Sequence, residues 1–574
     1  MNSKININKV YSIIASAILC LMFIVLILLA KNTALTIDEG PHILAGYTYW
    51  QFGDYRANPE HPPLFKDLAG LPVYLSKPNW PKDNLLFNDS KTNPYVSQSL
   101  DSREFLFNSG NDADKLIFLA RIPMILITIL LGFVIFWWTR KNWGNNPALL
   151  ALSLYAFNPN FLAHGCLVTN DILSALACLM LVITWIDFIK NKAKKTFAFF
   201  VLALALCLLT KFSLGTALIS ILFFCFVYSG LTNKKGDLKE YLLPAIGGMI
   251  LSFGIIYLVY AWNLRNQPID NLIANAKFLE GINLSSLYSI PGLAPIVHWF
   301  FGLFIALSRS ANGSVVSFLG NIGNSWWYYF PVLWFAKNPI MLNVMAILGL
   351  ASVKNNYKKA NELEKHPELI MMIVFIIFYW VVLINSSLNI GVRHLFPVTI
   401  FMFILIAICF CDVLDNFKTK LNKKYILIAC VIFYAIPAII SYPNYLPYYN
   451  FLAGGTDNGY KIASDSNYDW GQDINKLQKY VNVNKIQNLK IDYFGIADPN
   501  YYLKNSWQPL DPTKGKQTGW LAVSITSYQK GVGLPIDLEE RYKQVFIFNY
   551  YDWLKDYQPV DRVGKSIFIY HIQN

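Results

Sequence analysis

Two adjacent carboxylates, Asp38 and Glu39, stand a few residues beyond the first long apolar run, in the stretch LTIDEGPHILAGYTYW. A third, Asp171, opens a later apolar run in TNDILSALACLML. Lys211 in CLLTKFSLGT, and Arg393 with His394 in NIGVRHLFPV, stand at the ends of other apolar runs. A positioned carboxylate can take the proton of an attacking hydroxyl, and grouped cations can hold a phosphate. Each residue also has a plainer reading. Asp38, Glu39 and Asp171 can cap helix N-termini, where carboxylates are favoured, and a lone Lys or Arg can snorkel to the membrane surface. Glu60 and His61, in PEHPPLFKD, have metal-binding side chains, but a site needs three or more convergent ligands.

The elements that must position these residues are membrane helices. Hydrophobic residues make up 55% of the 574-residue chain and charged residues 14%, against about 25% charged in soluble chains. The formal net charge is +13. The lysines are not spread evenly but cluster in short loops between apolar runs, which points to membrane orientation rather than a nucleic-acid surface. The eight cysteines lie in or beside apolar runs with no Cys-x-x-Cys pair. That excludes a disulfide framework and a zinc knuckle.

About eleven spans are expected, near 10–30, 116–138, 147–163, 171–189, 197–210, 212–230, 241–262, 327–351, 368–386, 394–412 and 425–441. Most reach across a hydrocarbon core of about 30 Å, and two are short. The first follows Lys4 and Lys9 and reads as an uncleaved helix rather than a signal peptide. Arg140 and Lys141; Lys190, Lys192, Lys194 and Lys195; Lys234, Lys235 and Lys239; Lys354, Lys358, Lys359 and Lys365; and Lys418, Lys420, Lys423 and Lys424 all fall on the side of the N-terminus. The positive-inside rule makes that side cytoplasmic. Lys211 and Arg393 go against the bias. The apolar run Ala294–Leu307 is only about 14 residues long and suits an interfacial helix in an outer loop. Three segments then face outward: 31–115, 263–326 and 442–574. In the first, the pattern from Pro41 to Phe52 suits an amphipathic helix lying on the membrane. The last carries short β-rich runs, LKIDYFGI, GWLAVSIT, KQVFIFNY and KSIFIYHI, and a helical stretch near Ile474 to Tyr480, which predicts a small α/β domain. The expected division is a membrane domain over 1–441 and an extracytoplasmic α/β domain over 442–574.

Taken in order, the Asp-Glu pair, HPPL in the first outer loop, TNDI, TKFSLG, WWYYFPVLWFAKNP, GVRHLFP and ASDSNYDWGQDINKLQKY resemble the bacterial members of glycosyltransferase family 39. These are relatives of the protein O-mannosyltransferases and of the aminoarabinose transferase that modifies lipid A. The likeness covers nearly the whole chain, and DSNYDWGQD resembles a subgroup with an external C-terminal domain. It implies a GT-C fold: a polytopic α-helical membrane protein with about eleven transmembrane helices, outer juxtamembrane helices and the small C-terminal α/β domain. It also implies a multi-pass enzyme of the cytoplasmic (inner) membrane. Such an enzyme moves one sugar from a polyprenyl-phosphate donor to a protein, lipid or glycan acceptor of the cell envelope, outside the cytoplasm and with inversion. By that likeness Asp38 is the base, Glu39 its partner and Asp171 the second acidic residue of the site. Lys211, Arg393 and His394 then suit the donor phosphate. Glu60 stands where the lipid A branch has a metal ligand, but His61 replaces the usual Lys beside it. A divalent metal is the only cofactor in view, and no nucleic-acid partner is expected.

Two other classes fit part of the pattern. One is an oligosaccharyltransferase-like or ligase-like GT-C enzyme that moves a glycan en bloc from a pyrophosphate carrier. The other is a flippase or transporter of lipid-linked sugar. The ionisable residues gather at the outer rim and not along the helix middles where transport sites lie, which favours a transferase.

Overall fold

A computed structural model of the protein describes residues 7–81, 85–88, 94–231, 237–276, 285–356, 365–416, 422–536 and 547–573. Among these, nine helices are long and apolar enough to cross a membrane, and a bent helix pair supplies a tenth span if counted as one. The first, Ile7–Asn32, runs 26 residues, about 39 Å at 1.5 Å per residue. The Ala113–Trp143 helix starts where the Asp112 side chain accepts the Lys115 N–H and ends at Gly144, whose φ of 88° is left-handed. At the centre lies Asp171–Asn191. It is apolar on nearly every face and buried along almost all its length, as a helix surrounded by others must be. The Ala113–Trp143, Lys194–Leu208 and Phe396–Asn416 helices pack around it.

Three expected spans differ in form, each for a local reason. The 147–163 run is two helices, Asn145–Ala156 and Pro159–His164. Asn158 caps the second by accepting the Asn160 N–H, and Pro159 takes the first helical position, where its missing N–H costs nothing. The 197–210 run is a 15-residue helix, Lys194–Leu208, about 22 Å long and short of the core thickness. The 327–351 run is Tyr329–Lys337 followed by Ile340–Asn356, bent by 109°. Pro339 forces the break, because the residue before a proline is driven out of the helical region; Asn338 is extended. In the other direction, the run expected to lie at the interface is a 19-residue helix, Ala294–Asn312. It packs against the Asp237–Asn263 helix. It also meets the long segment after the first helix, where the Tyr55 and His298 rings touch edge to face.

The C-terminal region holds a five-stranded sheet in the order Trp507–Pro509, Leu489–Asp492, Gly519–Ser524, Ile567–Ile572, Asp561–Val563. The first two pairings are parallel and the last two antiparallel, with Ala522 opposite Ile569. The Ile474–Val483 helix lies where a helical stretch was expected. Of KQVFIFNY, Lys543 to Phe546 lie outside the described residues, and the rest forms no strand. Lys234, Lys235, Lys358, Lys359, Lys418 and Lys420 also lie outside the described residues.

The C-terminal region is not an appendage. Ile43, Leu44, Phe105 and Leu106 of the segment between the first two long helices share one hydrophobic core with Ile474, Leu477, Ile491, Ile496, Ala522 and Ile569. The strand Leu534–Pro535 pairs in parallel with Asn321–Gly323, which follows the Ala294–Asn312 helix. Asn450 donates its N–H to Ala336 O at 2.8 Å. Its hydrophobic packing and backbone pairing thus cross the boundary at 442.

Candidate active site

Four of the expected residues converge. The Arg393 Nη1 donates to Asp38 Oδ2 at 2.9 Å and lies 3.5 Å from Asp171 Oδ2, while Lys211 Nζ donates to Asp171 Oδ1 at 3.0 Å. Neither carboxylate acts as a helix cap. Asp38 precedes the Glu39–Phe52 helix, and Asp171 stands in the first turn of its own helix behind Asn170, with no side-chain capping bond at either end. Asp171, Lys211 and Arg393 are buried, whereas the Asp38 side chain is 30% exposed. Two carboxylates and two cations balance in charge, with Asp171 holding the cations side by side and Asp38 the more exposed of the two carboxylates.

The local folding that presents each group is visible in the backbone. Lys211 sits in extended backbone, φ −155° and ψ 130°, between the Lys194–Leu208 helix and the turn Phe212–Leu214. Arg393 lies in a single 3-10 turn, Val392–Leu395, preceding the Phe396–Asn416 helix. His394 follows it, and its Nε2 is buried with no hydrogen-bond partner among the described residues; the same holds for Arg393 Nε and His164 Nδ1.

Glu39 is turned away from Asp38. Its Oε1 accepts from Arg121 Nε at 2.8 Å and from the Val168 N–H at 3.0 Å. Its Oε2 accepts from Arg121 Nη2 at 2.6 Å and from the Thr36 N–H and Oγ1, each at 3.0 Å. Arg121 spends its remaining donors on Ala30 O, Thr33 O and Ala34 O. Burial pushes the Glu39 carboxyl up, but the Arg121 guanidinium overcomes it and holds the group below the usual range. This buried knot joins the exit of the first helix to the Ala113–Trp143 helix and to the entrance of the Asp171–Asn191 helix.

Glu60 and His61 are held by a buried lysine. Lys66 Nζ donates to Asn58 O at 2.6 Å, His61 O at 2.8 Å and Tyr49 Oη at 2.8 Å, with the Tyr55 ring 4.9 Å away. Glu60 Oε1 accepts from Arg309 Nη1 at 2.9 Å and Asn58 Nδ2 at 3.1 Å. The His61 Nδ1 meets Asn170 Nδ2 at 3.4 Å, which places the ring beside Asp171's turn. Among the described residues no three His, Cys, Asp or Glu side chains group for a metal ion. Arg309 and Asn58 engage Glu60 through Oε1, and with fewer than three such ligands grouped among the described residues the pair falls short of a metal site.

The residues not anticipated are Arg121, His42, Lys66 and Trp470. His42 donates from Nδ1 to Val168 O at 2.7 Å, and burial lowers its imidazole to about 4, so it is neutral. The Trp470 ring lies 4.3 Å below the Arg393 guanidinium. Arg121 had a signal, since a charged residue inside an apolar span is costly and seldom idle. The others had none, because their importance rests on contacts between distant segments.

Residues 113–262, which include Asp171 and Lys211, match the family described as Dolichyl-phosphate-mannose-protein mannosyltransferase. No curated protein matches the chain. Among solved structures, ArnT from Cupriavidus metallidurans bound to undecaprenyl phosphate is 12% identical, with 96% of this chain and 97% of that chain covered and a TM-score of 0.45. The archaeal oligosaccharyltransferase AglB from Archaeoglobus fulgidus, in complex with an inhibitory peptide and a dolichol-phosphate, is also 12% identical, with 89% and 69% covered and a TM-score of 0.45. Over 113–262, the stretch that supplies half of the charged cluster, the chain is similar to the dolichyl-phosphate-mannose-protein mannosyltransferases.

Proposed function

We propose that this chain is a membrane glycosyltransferase of the GT-C type. It moves a single sugar from a polyprenyl-phosphate donor to an acceptor on the outer side of the cytoplasmic membrane. The observation that carries the reading is Arg393, shared between partly exposed Asp38 and buried Asp171, with Lys211 on the far side of Asp171. The described family's donor is a polyprenyl monophosphate sugar, which supports the same donor class.

The acceptor hydroxyl attacks the anomeric carbon while the bond from that carbon to the phosphate oxygen breaks. Asp38 takes the hydroxyl proton in the same step. Polyprenyl phosphate departs carrying the bonding electrons, and Lys211 and Arg393 are set to stabilise its growing charge in a site shielded from water. As Asp38 becomes neutral its hold on Arg393 weakens, which frees the guanidinium for the phosphate as the charge arrives there. Inversion is favoured because a double displacement needs a second free carboxylate as nucleophile. Asp171 is tied through both oxygens, as is Glu39. No metal enters this scheme. The acceptor, whether protein, lipid or glycan, approaches from the exposed side of Asp38.

The test is turnover by the purified protein in lipid, with radiolabelled polyprenyl-phosphate sugars and a cell-envelope extract as acceptor. Wild type is expected to transfer label and release polyprenyl phosphate. Undiminished transfer by a folded Asp38→Asn protein would remove Asp38 as the base. Movement of intact donor across the bilayer without chemistry would replace the reading by transport.

A further inference from the structure

The segment Asp465–Asp473 belongs by sequence to the C-terminal region but forms part of the site wall. Its Ser466 Oγ donates to Ile390 O at 2.5 Å, and its Asn467 Oδ1 accepts the Val392 N–H at 2.9 Å. On its other side, Trp470 O accepts the Ile37 N–H at 3.1 Å and Gln472 O accepts the Ala34 N–H at 3.0 Å. One short segment therefore grips the residue before Arg393 and the residue before Asp38. Buried Lys337 pins it from behind, donating to Asn467 O at 2.6 Å and Leu446 O at 2.8 Å.

Between those two grips lies the Trp470 indole, 1% exposed, with its ring 4.3 Å from the Arg393 guanidinium carbon. The His164 ring packs against the indole at 5.8 Å. The described hydrogen bonds of Arg393 all run through Nη1, while its Nε has no partner. Bonds at one nitrogen fix a point and leave the guanidinium plane to turn about it. A flat aromatic face supplies what they lack, since it attracts the cation and fixes its plane.

We propose that Trp470 is a positioning residue for Arg393, and that the C-terminal region thereby sets the geometry of donor-phosphate binding. The proposal rests on the reading of Arg393 as a phosphate-binding group. Its test uses full-length protein in lipid and measures binding of undecaprenyl phosphate alone, together with donor KM and kcat. Trp470→Leu is expected to weaken undecaprenyl phosphate binding about tenfold and to raise donor KM more than it lowers kcat per folded molecule. Trp470→Phe, which keeps an aromatic face, should restore most of the loss. In an Arg393→Ala background, Trp470→Leu should have no further effect on binding, because the two act as one unit. If Trp470→Leu does not fold, Trp470→Phe and its cycle with Arg393→Ala carry the test, with a smaller loss expected.

Wild-type binding by a folded Trp470→Leu protein, beside weakened binding by Arg393→Ala, would overturn the Trp470 proposal and leave the donor site standing. Equal further losses from Trp470→Leu with and without Arg393 would also overturn it, by showing a merely structural role. Wild-type binding by Arg393→Ala would bring down the phosphate reading and this proposal together.

Discussion

Asp38 and Glu39 are neighbours in sequence and opposites in environment. Each meets an arginine. Asp38 has one bond to Arg393 and an open side. Glu39 is sealed, with both oxygens and the Arg121 donors engaged. A group that must gain a proton during a reaction needs an exposed edge and a partner that can let go. A group that holds three chain segments together needs neither. The largest effect is therefore expected at Asp38. Asp38→Asn keeps the shape and removes the base, and turnover should fall by about two to four orders of magnitude. Thermal stability should shift by less than about 1 kcal/mol, because the pair lost is partly exposed. Steady-state kinetics beside a melting curve in detergent would check both.

Glu39→Gln should show the reverse profile. It leaves Arg121 charged and buried without a counterion, at a cost of about 3–5 kcal/mol. The melting temperature and the folded yield should fall sharply, while turnover per folded molecule changes little. Replacing both partners, Glu39→Gln with Arg121→Met, should cost less than the sum of the single changes. A stable Glu39→Gln protein that has lost turnover would put Glu39 in the chemistry and invert the contrast.

Much of this contrast was open to sequence reasoning and part of it was closed. The charges at span ends were readable because ionisable residues at membrane depth are rare, so Asp38, Asp171, Lys211 and Arg393 could be singled out by position alone. Their convergence could not be derived from spacing, since Asp38 and Arg393 meet across 355 residues of chain. Apolar runs were readable as helices, but run length overstated continuity where Asn158-Pro159 and Asn338-Pro339 divide them. Both dipeptides carried the local signal of a break. The domain boundary at 442 followed a change in composition, and composition is blind to the Ile43–Ile491 core and to the Trp470–Arg393 stack.

A smaller effect, read by pH, is expected in the Asp465–Asp473 segment that carries Trp470. Asp469 is fully buried and accepts the Thr526 N–H at 3.0 Å and the Gly471 N–H at 3.3 Å. Burial nevertheless pushes its carboxyl up to about 8, with Asp473 and Asp465 adding to the rise. The folded protein then binds a proton at this group that the unfolded chain releases near pH 4. Stability from this group must fall as pH rises from about 4 to about 8, by at most about 1.4 kcal/mol per pH unit, and level off above that. Asp469→Asn should flatten that part of the profile, as read from melting temperatures between pH 5 and 9. An unchanged slope would show that Asp469 is ionised in the fold and that its surroundings beside Trp470 are more polar than their burial suggests.

The smallest effect is expected at Glu60. Its partner Arg309 is 51% exposed, so the pair is screened by water and contributes within about 1 kcal/mol. Arg309→Ala should leave the melting temperature nearly unchanged and turnover within about twofold, in contrast to Arg393→Ala at the buried cluster. A chelator should also leave turnover unchanged, because Arg309 and Asn58 hold Glu60 Oε1 and, among the described residues, no third ligand gathers with His61. The informative failure is a chelator-sensitive enzyme whose Arg309→Ala form binds metal more tightly. That outcome would make Arg309 a stand-in that a cation displaces from Glu60. The chemistry would then extend from Asp38 to the Asn58–His61 turn, both ends of which Lys66 holds.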